Sequence, residues 1–224
     1  MITIHHLEYS RSQRPIWLLE ELGVDYEVKR YQRDSKTMLA PPELKEIHPL
    51  GKSPVLTDED VTVAESGAII EYLLDKYGDG RLEPSDEAGK RTLTYWLHYA
   101  EGSFMPLMII SLILNRIETA PVPFFVKPIA KGIAGKVRSG FLNANLERHL
   151  GFIETTLSGG GWFCGDRFTA ADIQMSYCLE AAEARTDVAN EYPNINDFLS
   201  RIRARDAYQR AMSAGGPATI PSFA

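Results

Sequence analysis

Cysteine is scarce in this chain. Only Cys164 and Cys178 occur among 224 residues, without C-x-x-C spacing or a histidine cluster near them, so neither a disulfide framework nor a zinc site is expected. Long apolar runs are missing as well. The most apolar stretch, residues 104–114, is shorter than a bilayer-crossing helix and contains Pro106, so a buried helix is expected there and no membrane span. The opening MITIHHLEY lacks a basic segment followed by an apolar core, so no export signal is expected and a reducing cytoplasm is the anticipated location. Positive charge is in deficit: 24 Lys and Arg face 30 Asp and Glu, a formal net charge of -6, which argues against general affinity for nucleic acid or anionic membrane. No repeat or low-complexity tract appears. What remains, 44% hydrophobic and 24% charged residues, is ordinary globular usage in a chain long enough for two small domains.

The first 80 residues alternate strand and helix patterns. Ile2, Ile4 and Leu7 begin a strand; residues 14–22 place Ile16, Leu19 and Leu22 near helical spacing with Gly23 as a stop. Val24, Tyr26 and Val28 alternate with Asp25, Glu27 and Lys29, the period of a half-buried strand. A short helix is predicted at 42–47, ended by His48-Pro49, since the residue before proline is pushed out of helical geometry. Strands at 54–56 and 61–63 flank Asp58-Glu59-Asp60, and a helix at 65–77 completes a β-α-β-α-β-β-α order. Residues 81–85 are the expected linker, because Gly78-Asp79-Gly80 and Pro84 interrupt all periodicity. Residues 86–224 then read as an all-α domain, with helices at 86–117, 141–157, 170–185 and 195–211 and a proline-rich connection at 121–128.

Three loops hold ligand-competent residues. Ser10, Arg11 and Ser12 lie where the first strand meets the first helix, a place where unpaired NH groups and the helix dipole favour an anion such as a thiolate. A serine hydroxyl donating to sulfur lowers the thiol pKa, each unit being worth roughly 1.4 kcal/mol. Either serine could equally be the helix N-cap. Lys52, Ser53 and Pro54 precede a short strand, where a cis peptide or a plain turn would both fit; an exposed backbone edge there could pair with an extended peptide. Glu65 and Ser66 open the next helix, suited to an ammonium group and a carboxylate or to an ordinary helix start. Together the loops suit a zwitterionic thiol peptide. Thr169 and Asp172 form a capping-box pattern, read as structural.

In this order and spacing the segments resemble the glutathione transferase family across nearly the whole chain: a Ser-x-x-x-Arg stretch before WLLEELG, then PLGKSPVL, ESGAIIEYL and the Thr-Ala-Ala-Asp box. The resemblance is to its cytosolic, serine-type members of bacterial or theta-like kind. It implies a thioredoxin-like first domain at 1–80 that binds glutathione and a helical second domain that shapes a pocket for a small hydrophobic electrophile. By this resemblance Ser10 donates to the glutathione sulfur, with Ser12 or Arg11 able to share the role; Glu65 and Ser66 hold the γ-glutamyl end; Ser53, ahead of a cis-Pro54, pairs with the cysteinyl unit; and Lys52 approaches a carboxylate. No cysteine precedes Cys164, so disulfide exchange through a protein thiol at that site is not expected.

Tyr95, Tyr99, Phe104, Met105 and Met108 lie on the helix that, in the family, faces the sulfur; of these Tyr99, Met105 and Met108 are the expected pocket residues, although aromatics and methionines at helical spacing also build cores. The insertion at 121–140 could cover the pocket, extend a dimer contact or do neither. The implied activity is conjugation of glutathione, a co-substrate, with peroxidase activity toward organic hydroperoxides as a further expectation; a non-catalytic binding protein on the same fold is the alternative. The family also implies a homodimer and detoxification, with no metal and no nucleic-acid partner.

Overall fold

The computed structural model describes residues 1–216. The expected helical half runs to residue 224, so its last eight positions lie outside the described residues. Strand β1 (Ile2–Leu7) pairs in parallel with β2 (Tyr26–Tyr31), Ile2 opposite Tyr26 and Leu7 opposite Tyr31. Parallel neighbours need a crossover, which helix α1 (Gln13–Leu22) supplies. Gly23, at φ +65°, ends α1 and donates its N–H to the Leu19 carbonyl, the left-handed cap glycine tolerates. After the short α2 (Leu44–Ile47), β3 (Val55–Asp58) pairs antiparallel with β1, and β4 (Val61–Ala64) with β3, giving the sheet order β2-β1-β3-β4. Helix α3 (Ser66–Tyr77) completes the expected β-α-β-α-β-β-α, thioredoxin-like arrangement.

The helical half begins with α4 (Glu87–Tyr99), whose N-cap Asp86 accepts the N–H groups of Ala88 and Gly89. A π-helical turn at Ala100–Phe104 joins it to α5 (Met105–Thr119), making one rod of 33 residues. By length and composition this rod could cross a bilayer, yet half of its most apolar window is buried inside the protein. Then follow α6 (Lys127–Val137), a second π turn at Arg138–Leu142, α7 (Asn143–Thr156), α8 (Ala170–Glu183), α9 (Val188–Glu191), α10 (Pro193–Arg203) and α11 (Asp206–Gly215).

One element is new and one expectation needs correction. The 121–140 insertion, to which the sequence assigned no element, contains helix α6, whose Pro128 falls in the first turn, where its missing N–H costs no intrahelical bond. The single helix expected at 195–211 is two, broken where Arg205 turns extended at ψ 132°.

Helix α1 is buried on all sides: Ile16, Trp17, Leu18 and Leu19 are at most 1% exposed, since the sheet layer covers one face and α8 and α11 cover the other. One continuous core therefore links both halves, and it locks the start of α1 against the helical layer. Helix α8 sits at the centre of that layer. Its capping box forms as expected, with Asp172 accepting the Thr169 N–H at 2.7 Å and that of Phe163 at 3.0 Å.

Candidate active site

Strand β1 runs out at Leu7 and α1 starts at Gln13, so residues 8–12 carry the chain from the sheet to the start of the helix. Tyr9 makes the bend at φ +52°. Ser10 Oγ lies 2.6 Å from Ser12 Oγ and accepts the Ser12 N–H at 3.3 Å, while Ser12 Oγ lies 2.7 Å from His6 Nδ1. Neither serine side chain caps α1. Ser12 is completely buried, so the two hydroxyls have different positions: Ser10 lies on the wall of a cavity and Ser12 behind it. Burial of the His6 ring is the main reason its pKa falls to about 4, leaving a neutral imidazole at the back of the chain His6–Ser12–Ser10.

The cavity has a volume of about 570 Å³ and lies between the sheet domain and the helical domain. On one side are Ser10, Arg11, Lys45, Lys52 and Ser53. Across from them stand Met105, Met108, Ile109 and Leu112 of α5, with Tyr177 and Ala181 of α8. Arg11 also forms an ion pair with Glu101 at 3.2 Å, and the buried Arg14 reaches the same carboxylate at 2.5 Å. Glu101 stands in the π turn between α4 and α5, so this irregular turn ties the helical rod to the start of α1.

The cis peptide expected before Pro54 is present. The Ser53 hydroxyl is engaged with β1, donating to the His5 carbonyl at 2.8 Å and accepting the Leu7 N–H at 3.1 Å. This fastens the cis-proline loop to the strand that delivers Ser10. Lys45 lies over Gly51, where a Cβ would come within 2.7 Å of the Lys45 side chain, so a larger residue at 51 would displace that lysine.

The structure brings Ser10, Arg11, Lys52, Ser53, Met105 and Met108 to one cavity. Pro54, Glu65 and Ser66 are not on its wall. They adjoin it through the pairing of Val55 with Ala64, which sets the cis-proline loop beside the start of α3. Tyr99 is the clear departure. Its side chain is buried in the helical core, 2.6 Å from His149 Nδ1 through the hydroxyl, and it does not line the cavity. Met105 and Met108 stand six and nine positions on, off the Tyr99 face of a helix with about 3.6 residues per turn, so the methionines face the cavity while the tyrosine faces His149 of α7.

Sequence reasoning missed Arg33, Lys45, Tyr177 and Arg185 on the wall. For three of the lining residues a signal existed, since Tyr177, Ala181 and Arg185 follow one another at intervals of four, one stripe of a helix. Arg33 and Lys45 lie in short segments without periodicity and become visible only through tertiary contact.

An ionisable thiol in this cavity would meet the start of α1, the Ser10 hydroxyl and the Arg11 guanidinium, all of which favour an anion. The two cysteines cannot supply that thiol. Burial pushes Cys164 up to about 11 and Cys178 up to about 12, and neither lines the cavity.

Comparison with known proteins agrees with this geometry. Residues 2–75 match the family model described as glutathione S-transferase, N-terminal domain, and residues 122–209 match glutathione S-transferase, C-terminal domain. Glutathione S-transferase 3 of Schizosaccharomyces pombe is 36% identical over 226 residues, covering 100% of this chain and 91% of the relative. A glutathione S-transferase crystal structure from Actinobacillus pleuropneumoniae superposes with a TM-score of 0.77 at 33% identity, covering 100% of this chain and 97% of that one. Ure2p, solved in complex with glutathione, shares the fold with a TM-score of 0.75 at 19% identity over 94% of this chain and 97% of that one. With both halves matched and the relative aligned along the full chain, this protein belongs to the glutathione transferase family and is an enzyme of that family.

Proposed function

We propose that the enzyme ionises the thiol of bound glutathione at Ser10 and directs it at a small, largely apolar electrophile held between α5 and α8. The observation that carries this reading is the Ser10 hydroxyl on the cavity wall, backed by Ser12 and His6 at 2.6 and 2.7 Å. In the direction that leaves the Ser10 O–H free for sulfur, His6 Nδ1–H donates to Ser12 Oγ and the Ser12 O–H donates to Ser10 Oγ. Ser10 then also accepts the Ser12 N–H, so both of its acceptor sites are filled from the protein side. A fixed donor aimed at a developing anion is worth about 10²-fold or more in rate in comparable sites.

The thiol proton leaves to solvent, the sulfur lone pair forms the bond to carbon, and an aryl halide releases halide with its bonding pair. Toward an organic hydroperoxide the same thiolate would attack oxygen and release the alcohol; a second glutathione would then close the disulfide and release water. Lys52 and Lys45 suit the carboxylates of glutathione, Glu65 and Ser66 its γ-glutamyl end, and the backbone at Ser53 its cysteinyl unit. The serine at this place supports a serine-type subclass. Two unpaired cysteines support a cytoplasmic location, and a detoxifying role is proposed with it. A homodimer is proposed with it, checked by sedimentation.

The test is Ser10→Ala. It should leave retention on a glutathione-affinity resin largely intact, abolish the ultraviolet band of bound thiolate near neutrality, and lower conjugation about 10²-fold. Retention without turnover in the unaltered protein would support the non-catalytic alternative; an unchanged thiolate band in Ser10→Ala would transfer the role to Ser12 or Arg11.

A further inference from the structure

The charge of the cavity wall exceeds what glutathione needs. Five cationic side chains line it, Arg11, Arg33, Lys45, Lys52 and Arg185, and no carboxylate does among the described residues. Glutathione with its thiol ionised carries a net charge of about -2 at neutral pH. Behind the wall, Glu101 offsets part of Arg11 and is shared with Arg14, and the Glu8 carboxylate, which accepts the Arg33 N–H at 2.9 Å, offsets part of Arg33. Positive charge therefore remains once glutathione is in place.

Of the cations left over, Arg185 stands on the electrophile side, and Arg33 on the sheet side beside Glu8 and Tyr9. Arg185 follows the end of α8, the helix packed against α5, and it shares a stripe with Tyr177 and Ala181 beside Met105 and Met108. Its Nη1 donates to the Ala181 carbonyl at 2.6 Å, which holds the guanidinium in place, while its Nε is buried without a partner. Arg33 donates to the carbonyls of Glu8, Met38 and Tyr9. Neither arginine forms an ion pair among the described residues, and burial lowers the pKa of both. A half-buried guanidinium with an unmet donor is costly unless a ligand satisfies it, and a carboxylate matches its fork.

Resting on the proposed glutathione site, we propose that the second substrate is an electrophile with an apolar body and one carboxylate, the body against Met105, Met108 and Ile109 and the carboxylate on Arg185. Chlorodinitrobenzoate and its methyl ester differ at the carboxyl group alone, charged in one and neutral and methyl-capped in the other. Their glutathione conjugates, prepared chemically, report binding without requiring turnover.

Titration calorimetry of both conjugates and of glutathione alone is the test. The acid conjugate should bind about tenfold more tightly than the ester, as one charge-assisted hydrogen bond allows. Arg185→Gln should remove that preference, and Arg185→Lys should keep part of it. Equal or weaker binding of the acid conjugate to the unaltered enzyme overturns the inference, and this comparison needs no variant. Should Arg185→Gln weaken glutathione itself and keep the acid preference, Arg185 belongs to the tripeptide and the inference falls. Glutathione alone separates the two failures: if it binds and the acid has no advantage, only the substrate class is wrong; if it does not bind, the glutathione reading fails and takes this inference with it.

Discussion

Ser12 Oγ lies 2.6 Å from Ser10 Oγ, and this contact, with its continuation 2.7 Å further to His6 Nδ1, occupies a hydroxyl that sequence rules would assign to capping α1. Ser12 positions Ser10 from behind. Ser12→Ala should therefore lower conjugation about tenfold and also cost about 1–3 kcal/mol of stability, because a buried His6 nitrogen loses its partner. Ser10→Ala, at the cavity wall, should lower the rate more and stability less. Paired kinetics and urea unfolding of the two variants would show the split; equal effects on both measures would refute it.

Acid should weaken the fold through His6. Burial lowers its folded pKa to about 4 from an ordinary value of 6.5, so between these values the unfolded chain binds a proton that the folded chain does not. Stability from this group is complete above about pH 6.5 and declines as pH falls toward 4, by up to about 3 kcal/mol. The difference in unfolding free energy between the unaltered protein and His6→Asn, measured across this range, should show that slope, since Asp172, raised to about 6, and the lowered His5 and His149 contribute equally to both.

Glu101 holds both Arg11 and Arg14 at the start of α1. Glu101→Gln should destabilise the protein by about 1–3 kcal/mol, reduced from the cost of a fully buried pair because Glu101 is 30% exposed. With one negative charge gone beside Arg11, the pKa of the bound thiol should fall. Thermal melting and the pH profile of the thiolate band check the two parts separately, and a rise in thiol pKa would contradict the second.

Tyr99 packs in the helical core and bonds to His149. Tyr99→Phe should cost about 1 kcal/mol of stability and leave the KM for electrophile unchanged. A marked rise in KM at unaltered stability would return Tyr99 to the pocket.

The α/β order of the first domain was legible because each element carries its own period: Ile2, Ile4 and Leu7 for β1, Ile16, Leu19 and Leu22 for α1, and Gly23 and His48-Pro49 as stops. Local chemistry alone was enough for these, and likewise for the capping box at Thr169 and Asp172. Helix α6 and the break at Arg205 leave no clear mark in the sequence, because proline and a short extended residue have different meanings at a helix start, interior or end.

For the site, the family resemblance nominated Ser10, Arg11, Lys52, Met105 and Met108, and their loops and helix meet at one cavity. Which hydroxyl faces the cavity, which aromatic faces the core, and that Arg33, Lys45 and Arg185 meet in one cavity were decided by tertiary structure. These depend on a bend at Tyr9, the contact of Tyr99 with His149 of α7 and the packing of α8 on α5. Periodicity records only which residues share a face of one element; the direction that face takes is set by contacts between residues far apart in the chain.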